Sequence, residues 1–436
     1  MKRLFFGGIH PQYNKEMSKT VTEFLSVTPK QVVIPLLQHI GAPCQSLVSV
    51  GDRVLLGQKI GDGEGLCVPV HASVSGTVVA VEPRPHVRGT DVLSVVIEND
   101  GKDEAVPFCA NDAPLEQLDA DDILHSIREA GIVGMGGAAF PGNVKALSAM
   151  GNVDTLIANA CECEPYITAD DSLLRTYPRH VLEGMQILAH VLQPDRIVLA
   201  VEDNKAEAIA QIRAILPEYP GIELAVLPTR YPQGAEKQLI QALTGREVPG
   251  GQLPVSVGCA VFNVSTYAAI RRAVRLGRPL TRRIVTVSGE AIAQPQNFIV
   301  RIGTSFHDLI EVAGGLNDKT ERVISGGPMM GIAQSALSVP VVKATNSILC
   351  LLKDLNGAAD NPVCIRCGKC VEACPMRLQP LYLYRYGKVE DVKMLERLNI
   401  PDCIECGCCA FTCPGKLPLV ESFRKGKQMV REANAK

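Results

Sequence analysis

The sequence predicts a multidomain protein of mixed α+β and α/β character. A β-rich N-terminal region precedes an α/β layer, a second small β module and a C-terminal helical segment crowded with cysteine. Three observations predict this. Residues 30–98 hold short apolar and alternating runs (QVVIPL, SLVSV, GTVVAVE, LSVVIE) cut by Gly-Asp and Gly-Gln turns. Residues 121–280 alternate helical periodicity with short apolar runs. Nine of the sixteen cysteines lie between positions 364 and 413. At 436 residues the chain exceeds what one core serves, and a 46% hydrophobic content is ample for several. A net charge of −2, no tryptophan and 4% aromatics argue against nucleic-acid binding.

In the first region, LVSVGDRVLLGQKIG and then VPVHASVSGTVVAVEP resemble the barrel-sandwich fold of biotinyl and lipoyl domains, which present a modifiable lysine at a hairpin tip. Here the tip reads His71-Ala72-Ser73-Val74-Ser75-Gly76, without lysine. A structural or docking role is therefore expected for it, in a domain spanning residues 1–115.

The next region, 116–280, reads as strands VDTLIANA, RIVLAVE and IELAVLP. Between them lie the helical patterns DDILHSIREAGI, LRTYPRHVLEGMQILAHVL and KAEAIAQIRAIL. That alternation argues for a mainly parallel sheet. Residues 281–345 return to β character with one short helix at 305–313, which suits a β-grasp module. Residues 355–436 form the cysteine-rich domain. The opening MKRLFFGGIHPQYNKE lacks the apolar core and cleavage site of a signal peptide. Residues 248–270 and 323–342 are uncharged, but Pro, Gly, Gln and Asn break both, so no membrane span is expected. Clustered thiols in a large chain read as metal binding in a reducing compartment rather than as a disulfide framework.

The cysteines form two runs. The first is Cys364-Ile-Arg-Cys367-Gly-Lys-Cys370-Val-Glu-Ala-Cys374-Pro375, the second Cys403-Ile-Glu-Cys406-Gly-Cys-Cys409-Ala-Phe-Thr-Cys413-Pro414. This is the bacterial ferredoxin spacing, which predicts two [4Fe–4S] clusters. Three thiolates on one tight loop wrap one cubane, and Gly368 and Gly407 let the backbone approach it. In two-cluster ferredoxins the fourth cysteine ligates the other cluster. The expected sets are therefore crossed: Cys364, Cys367, Cys370 and Cys413 for one cluster, Cys403, Cys406, Cys409 and Cys374 for the other. Zinc also takes four cysteines, but usually as two separated pairs. Cys408 is off register and reads as a non-ligand. Cys44, Cys67 and Cys350 read as buried small hydrophobes, and His10 and His39 as structural residues.

Residues 130–145, AGIVGMGGAAFPGNVK, place glycines 131, 134, 136 and 137 ahead of a helix, with Lys145 following. Such a loop offers bare amides and a positive dipole end to phosphate. After a strand comes Asn159-Ala-Cys-Glu162-Cys-Glu164-Pro-Tyr, with carboxylates placed to accept from sugar hydroxyls. Tyr231-Pro-Gln-Gly234-Ala-Glu236-Lys and Asn263-Val-Ser-Thr266 sit at further strand-to-helix junctions.

Together these stretches resemble the flavin- and NADH-binding fold of the large flavoprotein subunit of respiratory complex I. That family has G-R-G-G-A-G-F-P where this chain has Gly134-Met135-Gly136-Gly137-Ala138-Ala139-Phe140-Pro141, so its Arg is Met135 and its third Gly is Ala139. The resemblance to the RnfC family of the Rnf electron-transport complex is closer and spans nearly the whole chain. It includes Gly7-Gly8-Ile9-His10-Pro11, the IPLLQHIGAP stretch, the VHASVSGTV hairpin, the ECEPYIT turn and both cysteine runs.

This resemblance implies four parts: a barrel-sandwich (lipoyl-like) domain, a Rossmann-like flavin domain, an SLBB-like β-grasp module and a two-cluster ferredoxin-like domain. It implies FMN as cofactor and NAD(H) as substrate, with Gly134, Gly136, Gly137 and Lys145 at the FMN phosphate. Asn159, Glu162 and Glu164 would bind ribityl or nucleotide hydroxyls. Asn263 and Thr266 would complete the pocket, with Tyr231, Gly234 and Glu236 beside it. It also implies a peripheral subunit on the cytoplasmic face of a cell-membrane complex. Its partners there would be an iron–sulfur subunit and integral membrane subunits, coupling ferredoxin:NAD+ electron transfer to Na+ or H+ translocation. No catalytic acid is named, because hydride transfer needs placement rather than proton donation. Two other readings stand beside this one. One is a soluble flavin/iron–sulfur reductase like the cobalamin reductases, whose resemblance starts near residue 125. The other is a flavin-free module that only wires clusters together.

Overall fold

The structure is a computed structural model that describes residues 5–19, 25–352 and 362–435. The expected start of the cysteine-rich domain, at 355, lies outside the described residues.

A four-stranded, wholly parallel sheet lies at the centre of the chain. Its order is Ile222–Leu227, Arg196–Glu202, Thr155–Ala160, Cys259–Asn263. Both faces are buried, which is why its strands read as unbroken apolar runs. Leu156, Ala158, Leu199 and Val201 face the helices Ala120–Glu129, Pro178–Leu192 and Val264–Leu276. Ile157, Ala200 and Val261 face the helix Glu236–Thr244. The pattern LRTYPRHVLEG, expected as one helix, is two, Ala169–Thr176 and Pro178–Leu192. Pro178 has no amide to continue the first helix and suits the first turn of the second.

The N-terminal region makes two small antiparallel sheets. Gln31–Pro35, Asp91–Asn99, Gly76–Pro85 and Arg53–Val54 form one, and Gln45–Ser46, Lys59–Asp62 and Val70–His71 the other. They close on a core of Val32, Ile34, Ile60, Val70, Val95 and Ile97. The expected hairpin tip is buried rather than presented. Ser73 Oγ donates to Ile302 O (2.5 Å) and Arg301 donates to Ser73 O (2.7 Å), so the tip docks on the third region of the same chain.

That third region is a six-stranded mixed sheet. It takes in two strands that lie outside the expected 281–345 division. Ser347–Leu352 pairs parallel to Arg282–Ser288, and Leu25–Val27 pairs parallel to Gln296–Arg301. The described residues before 28 therefore lie outside the barrel-sandwich core. Residues 5–19 run as an arm over the parallel sheet, where Ile9 bridges Tyr231 and the Tyr166 amide donates to Tyr13 O (2.7 Å). The C-terminal region is helical. Pro380–Lys388, Val392–Arg397 and Leu419–Asn434 pack around Leu383, Leu395, Leu419 and Phe423.

Candidate functional site

The crevice above the carboxyl ends of the parallel strands is where the sheet order reverses, between Thr155–Ala160 and Cys259–Asn263. Open α/β sheets bind ligands at such a point. Asn159 and Asn263 are direct partners in the ladder there. Asn263 caps the helix Val264–Leu276 by accepting from the Ser265 amide (2.9 Å), and its Nδ2 donates to Asp170 Oδ2 (2.6 Å). Asn159 holds the neighbouring loops by donating to Gly234 O (2.8 Å) and accepting from the Cys161 amide (3.0 Å).

The glycine loop enters over these two residues. Buried Thr266 accepts from the Met135 amide (3.0 Å) and so anchors the loop from below. Gly134 closes it by donating to Phe140 O (2.8 Å). Gly136, Gly137 and Ala138 are exposed, and none of their amides donates to another described residue. A Cβ at Gly136 would stand 3.3 Å from Asn263 Cβ. Ala139, in the family's glycine position, holds φ +52°, a left-handed conformation that disfavours side chains. Lys145 reaches Glu236 Oε1 (2.6 Å) and lies over the Phe262 ring at 5.3 Å. Free amides at two glycines and a nearby lysine fit an anionic phosphate.

Glu162, Glu164 and Tyr231 have partners other than those expected of the crevice. Glu162 is buried and its carboxylate accepts from the Asp170 amide (2.8 Å), holding the start of the helix Ala169–Thr176. Burial pushes its carboxyl up to about 7. Glu164 accepts from the Met329 amide of the β-grasp region (3.1 Å), and burial raises it to about 7 as well. Tyr231 is buried and its hydroxyl donates to Cys406 O (2.7 Å). The physical reason is local crowding: Lys15, on the N-terminal arm, is buried and donates to the carbonyls of Glu162, Glu164 and Ile167 (2.8, 2.8 and 2.6 Å). The turn is wrapped around that ammonium. Neither Lys15 nor Asp170 stood out in the sequence, because each is one ordinary charged residue without a motif.

The eight register cysteines gather into two cavities. Cys374, Cys403, Cys406 and Cys409 line one with Met376, Leu378 and Phe423. Cys364, Cys367, Cys370 and Cys413 line the other with Leu381 and Leu417. Each holds the last cysteine of the opposite run. Four sulfurs in an apolar wall are a donor set suited to a [4Fe–4S] cubane. Cys408 lines neither cavity; it packs against Ile9, Cys163 and Tyr231.

Comparison with known families matches four stretches of the chain. Residues 3–102 match the RnfC barrel sandwich hybrid domain and 127–272 the Nuo51 FMN-binding domain. Residues 284–333 match the SLBB domain and 358–414 a 4Fe-4S dicluster domain. The chain therefore carries an FMN-binding unit and a two-cluster unit. It is 46% identical over 386 residues to the C subunit of the Na(+)-translocating ferredoxin:NAD(+) oxidoreductase complex of Acetobacterium woodii, covering 88% of this chain and 87% of that one. It is 44% identical over 391 residues to the proton-translocating counterpart of Clostridium ljungdahlii, covering 89% and 85%. A 44% match over 404 residues to the C subunit of the ion-translocating oxidoreductase complex of Serratia proteamaculans covers 91% of this chain and 57% of that longer protein. Among solved structures, an NAD+-reducing [NiFe]-hydrogenase in the H2-reduced state superposes with a TM-score of 0.51 at 22% identity. It covers 73% of this chain and 64% of the other, a likeness of fold.

Proposed function

The chain belongs to the RnfC family of ion-translocating ferredoxin:NAD(+) oxidoreductase complexes, and we propose that it is the NAD(H)-linked flavin and iron–sulfur subunit of such a complex. The complex would couple ferredoxin:NAD+ electron transfer to translocation of Na+ or H+. The observation that carries this reading is the Tyr231–Cys406 hydrogen bond, which joins the loop beside the flavin crevice to the wall of one cysteine cavity. When bound, FMN exchanges two electrons with NAD(H) and single electrons with a cluster.

In this proposal the amides of Gly136 and Gly137, with Lys145, hold the FMN phosphate, and Gly134 shapes the loop. Asn159, Asn263 and Thr266 keep the crevice walls in place, with Gly234 and Glu236 at its rim. Glu162, Glu164 and Tyr231 set the shape of the floor and its contact with the cluster unit rather than touching sugar hydroxyls. The cavity of Cys374, Cys403, Cys406 and Cys409 holds the inner cluster, and that of Cys364, Cys367, Cys370 and Cys413 the outer one. Cys364, Cys367 and Ile365 are exposed, which suits the outer site to exchange with a partner.

No described helix is long and apolar enough to cross a membrane. In this proposal the chain sits peripherally on the cytoplasmic side of the cell membrane, held by integral membrane subunits and an iron–sulfur subunit of the complex. The barrel-sandwich region, matched from residue 3, separates this reading from a soluble reductase whose resemblance begins near residue 125.

The test is a Gly136→Val substitution, which fills the space beside Asn263. The variant should lose FMN by more than about tenfold in affinity while keeping its iron, since only the phosphate cradle is blocked. Retention of one FMN per chain would move the flavin elsewhere. A chain that never sediments with membranes when co-produced with its partner subunits would defeat the membrane assignment.

A further inference from the structure

Outside the flavin crevice and the two cysteine cavities, one further set of ligand-type side chains converges among the described residues. His39, Cys44 and Cys67 are all buried, and their ligand atoms lie within 4.8 Å of one another. Cys44 Sγ is 3.4 Å from Cys67 Sγ, and Cys67 Sγ is 3.7 Å from His39 Nε2. Tetrahedral zinc, with bonds of about 2.3 Å to sulfur and about 2.0 Å to nitrogen, sets S–S edges of about 3.8 Å and S–N edges of about 3.5 Å. Two measured edges fall close to those lengths.

The histidine is turned for ligation. Its Nδ1 lies 3.2 Å from Ile40 O, so a proton there is satisfied, while Nε2 accepts from the Val68 amide (3.3 Å) and lies 3.7 Å from Cys67 Sγ; a bound cation would take over that lone pair. A carbonyl behind one ring nitrogen is the usual support for a metal-bound histidine. The two loops that carry the ligands are already fastened together. Ala42 donates to Leu66 O (3.1 Å), and a Cβ on Gly41 would lie only 2.0 Å from that oxygen. Buried Lys343 is an electrostatic neighbour of both sulfurs and of His39, and Asp62 of Cys44. A cation there would displace two thiol protons, giving a neutral pair of thiolates and dication.

We propose that His39, Cys44 and Cys67 form a binding site for a thiophilic d10 cation such as Zn2+, with its fourth position beside Val68 O. Cys44 Sγ lies 3.3 Å from that oxygen. Binding releases the two cysteine protons to solvent and changes no oxidation state. The site staples the barrel-sandwich domain beneath the glycine loop, because the Ile40 amide donates to Ala139 O (3.0 Å). That consequence for the loop rests on the flavin reading; the metal site does not.

The test uses the full, cluster-loaded chain, prepared without oxygen, given a slight excess of Zn2+ and then desalted over a weak chelator. About one zinc should remain beside about eight irons per chain. Cys44→Ala and Cys67→Ala should each cut the zinc to below about a tenth with iron unchanged. X-ray absorption at the zinc edge should show two sulfurs and an imidazole nitrogen. If the alanine variants lose iron, that spectrum alone decides, and a four-sulfur shell would overturn the proposal. So would zinc near zero in the parent chain, zinc unchanged in the variants, or a Cys44–Cys67 disulfide with both thiols blocked to alkylation. Normal FMN retention with zinc lost would remove only the staple, leaving the metal site standing.

Discussion

The two cysteine runs make the same turn in different surroundings. Gly368 and Gly407 both sit at φ +79°, and Arg366 and Glu405 at φ +58° and +57°. Each run then enters a four-residue helix, Lys369–Glu372 or Cys408–Phe411. Beyond that the likeness ends. The inner cavity is clamped from several sides. Tyr231 bonds Cys406 O, the Gly8 amide donates to Ala373 O (3.0 Å), and a Cβ on Gly7 would stand 2.7 Å from the Cys374 carbonyl. Around the outer cavity, Val363 and Ile365 are 63% and 66% exposed. Spacing determines how a cluster is held, while the surroundings set its potential and what it exchanges electrons with.

The largest expected effect tests the crossing itself. Cys374→Ser should remove the inner cluster, dropping iron from about eight to about four per chain, and leave the outer one. Cys413→Ser should do the reverse. If electron paramagnetic resonance showed Cys374→Ser emptying the site of Cys364, Cys367 and Cys370, the two cavities would be wrongly paired with their runs.

Lys15→Met probes the clamp. It strands three carbonyls, those of Glu162 and Ile167 buried and that of Glu164 half-buried, and should cost about 3 kcal/mol of stability. The loss should appear as faster hydrogen exchange in the acidic turn and around Cys406, with the segment around Cys364 unchanged. Equal loosening at both cavities would erase the distinction drawn between them.

A third change should leave the cavities alike. Burial, with Lys343 beside it, holds the His71 imidazole down at about 3. The unfolded chain binds that proton below about 6.5 while the folded chain refuses it, so stability falls as the pH drops through this window, by about 2 kcal/mol at pH 5. His71→Gln should lessen the fall of the thermal midpoint between pH 7 and 5, with buried His86, held down to about 4, supplying part of what remains, and should alter neither cluster. An unchanged slope would mean that the imidazole is not held neutral.

The smallest effect is the finest test of the comparison. Tyr231→Phe removes one hydrogen bond to Cys406 O, about 1 kcal/mol. Losing a donor beside a ligand should lower the inner potential by on the order of tens of millivolts and leave the outer one in place. Redox titration that moved both equally would put Tyr231 in a general structural role.

Much of this was legible from the amino acids. The parallel strands showed because a sheet buried on both faces forces continuous apolar runs. The two cavities showed because three of the four cysteines that line each lie on one short loop, and a short loop is a matter of sequence spacing. That Asn159 and Asn263 stand at strand-to-helix junctions was readable locally, and the ladder makes them neighbours because adjacent parallel strands end at one edge.

What stayed hidden depends on contacts distant along the chain. Leu25–Val27 joins a sheet built mainly after residue 281, and no local pattern reveals a partner so far away. No local pattern shows that Glu164 accepts from the Met329 amide, 165 residues on. His39, Cys44 and Cys67 are buried as core residues are, but only the packing of two loops shows that their ligand atoms converge. The sequence by itself determined the parallel strands and the ligand loops, because periodicity and tight turns are local. Only the tertiary structure decided which cavity is clamped, which acids face inward and where three scattered side chains meet, because burial and desolvation depend on everything packed around a residue.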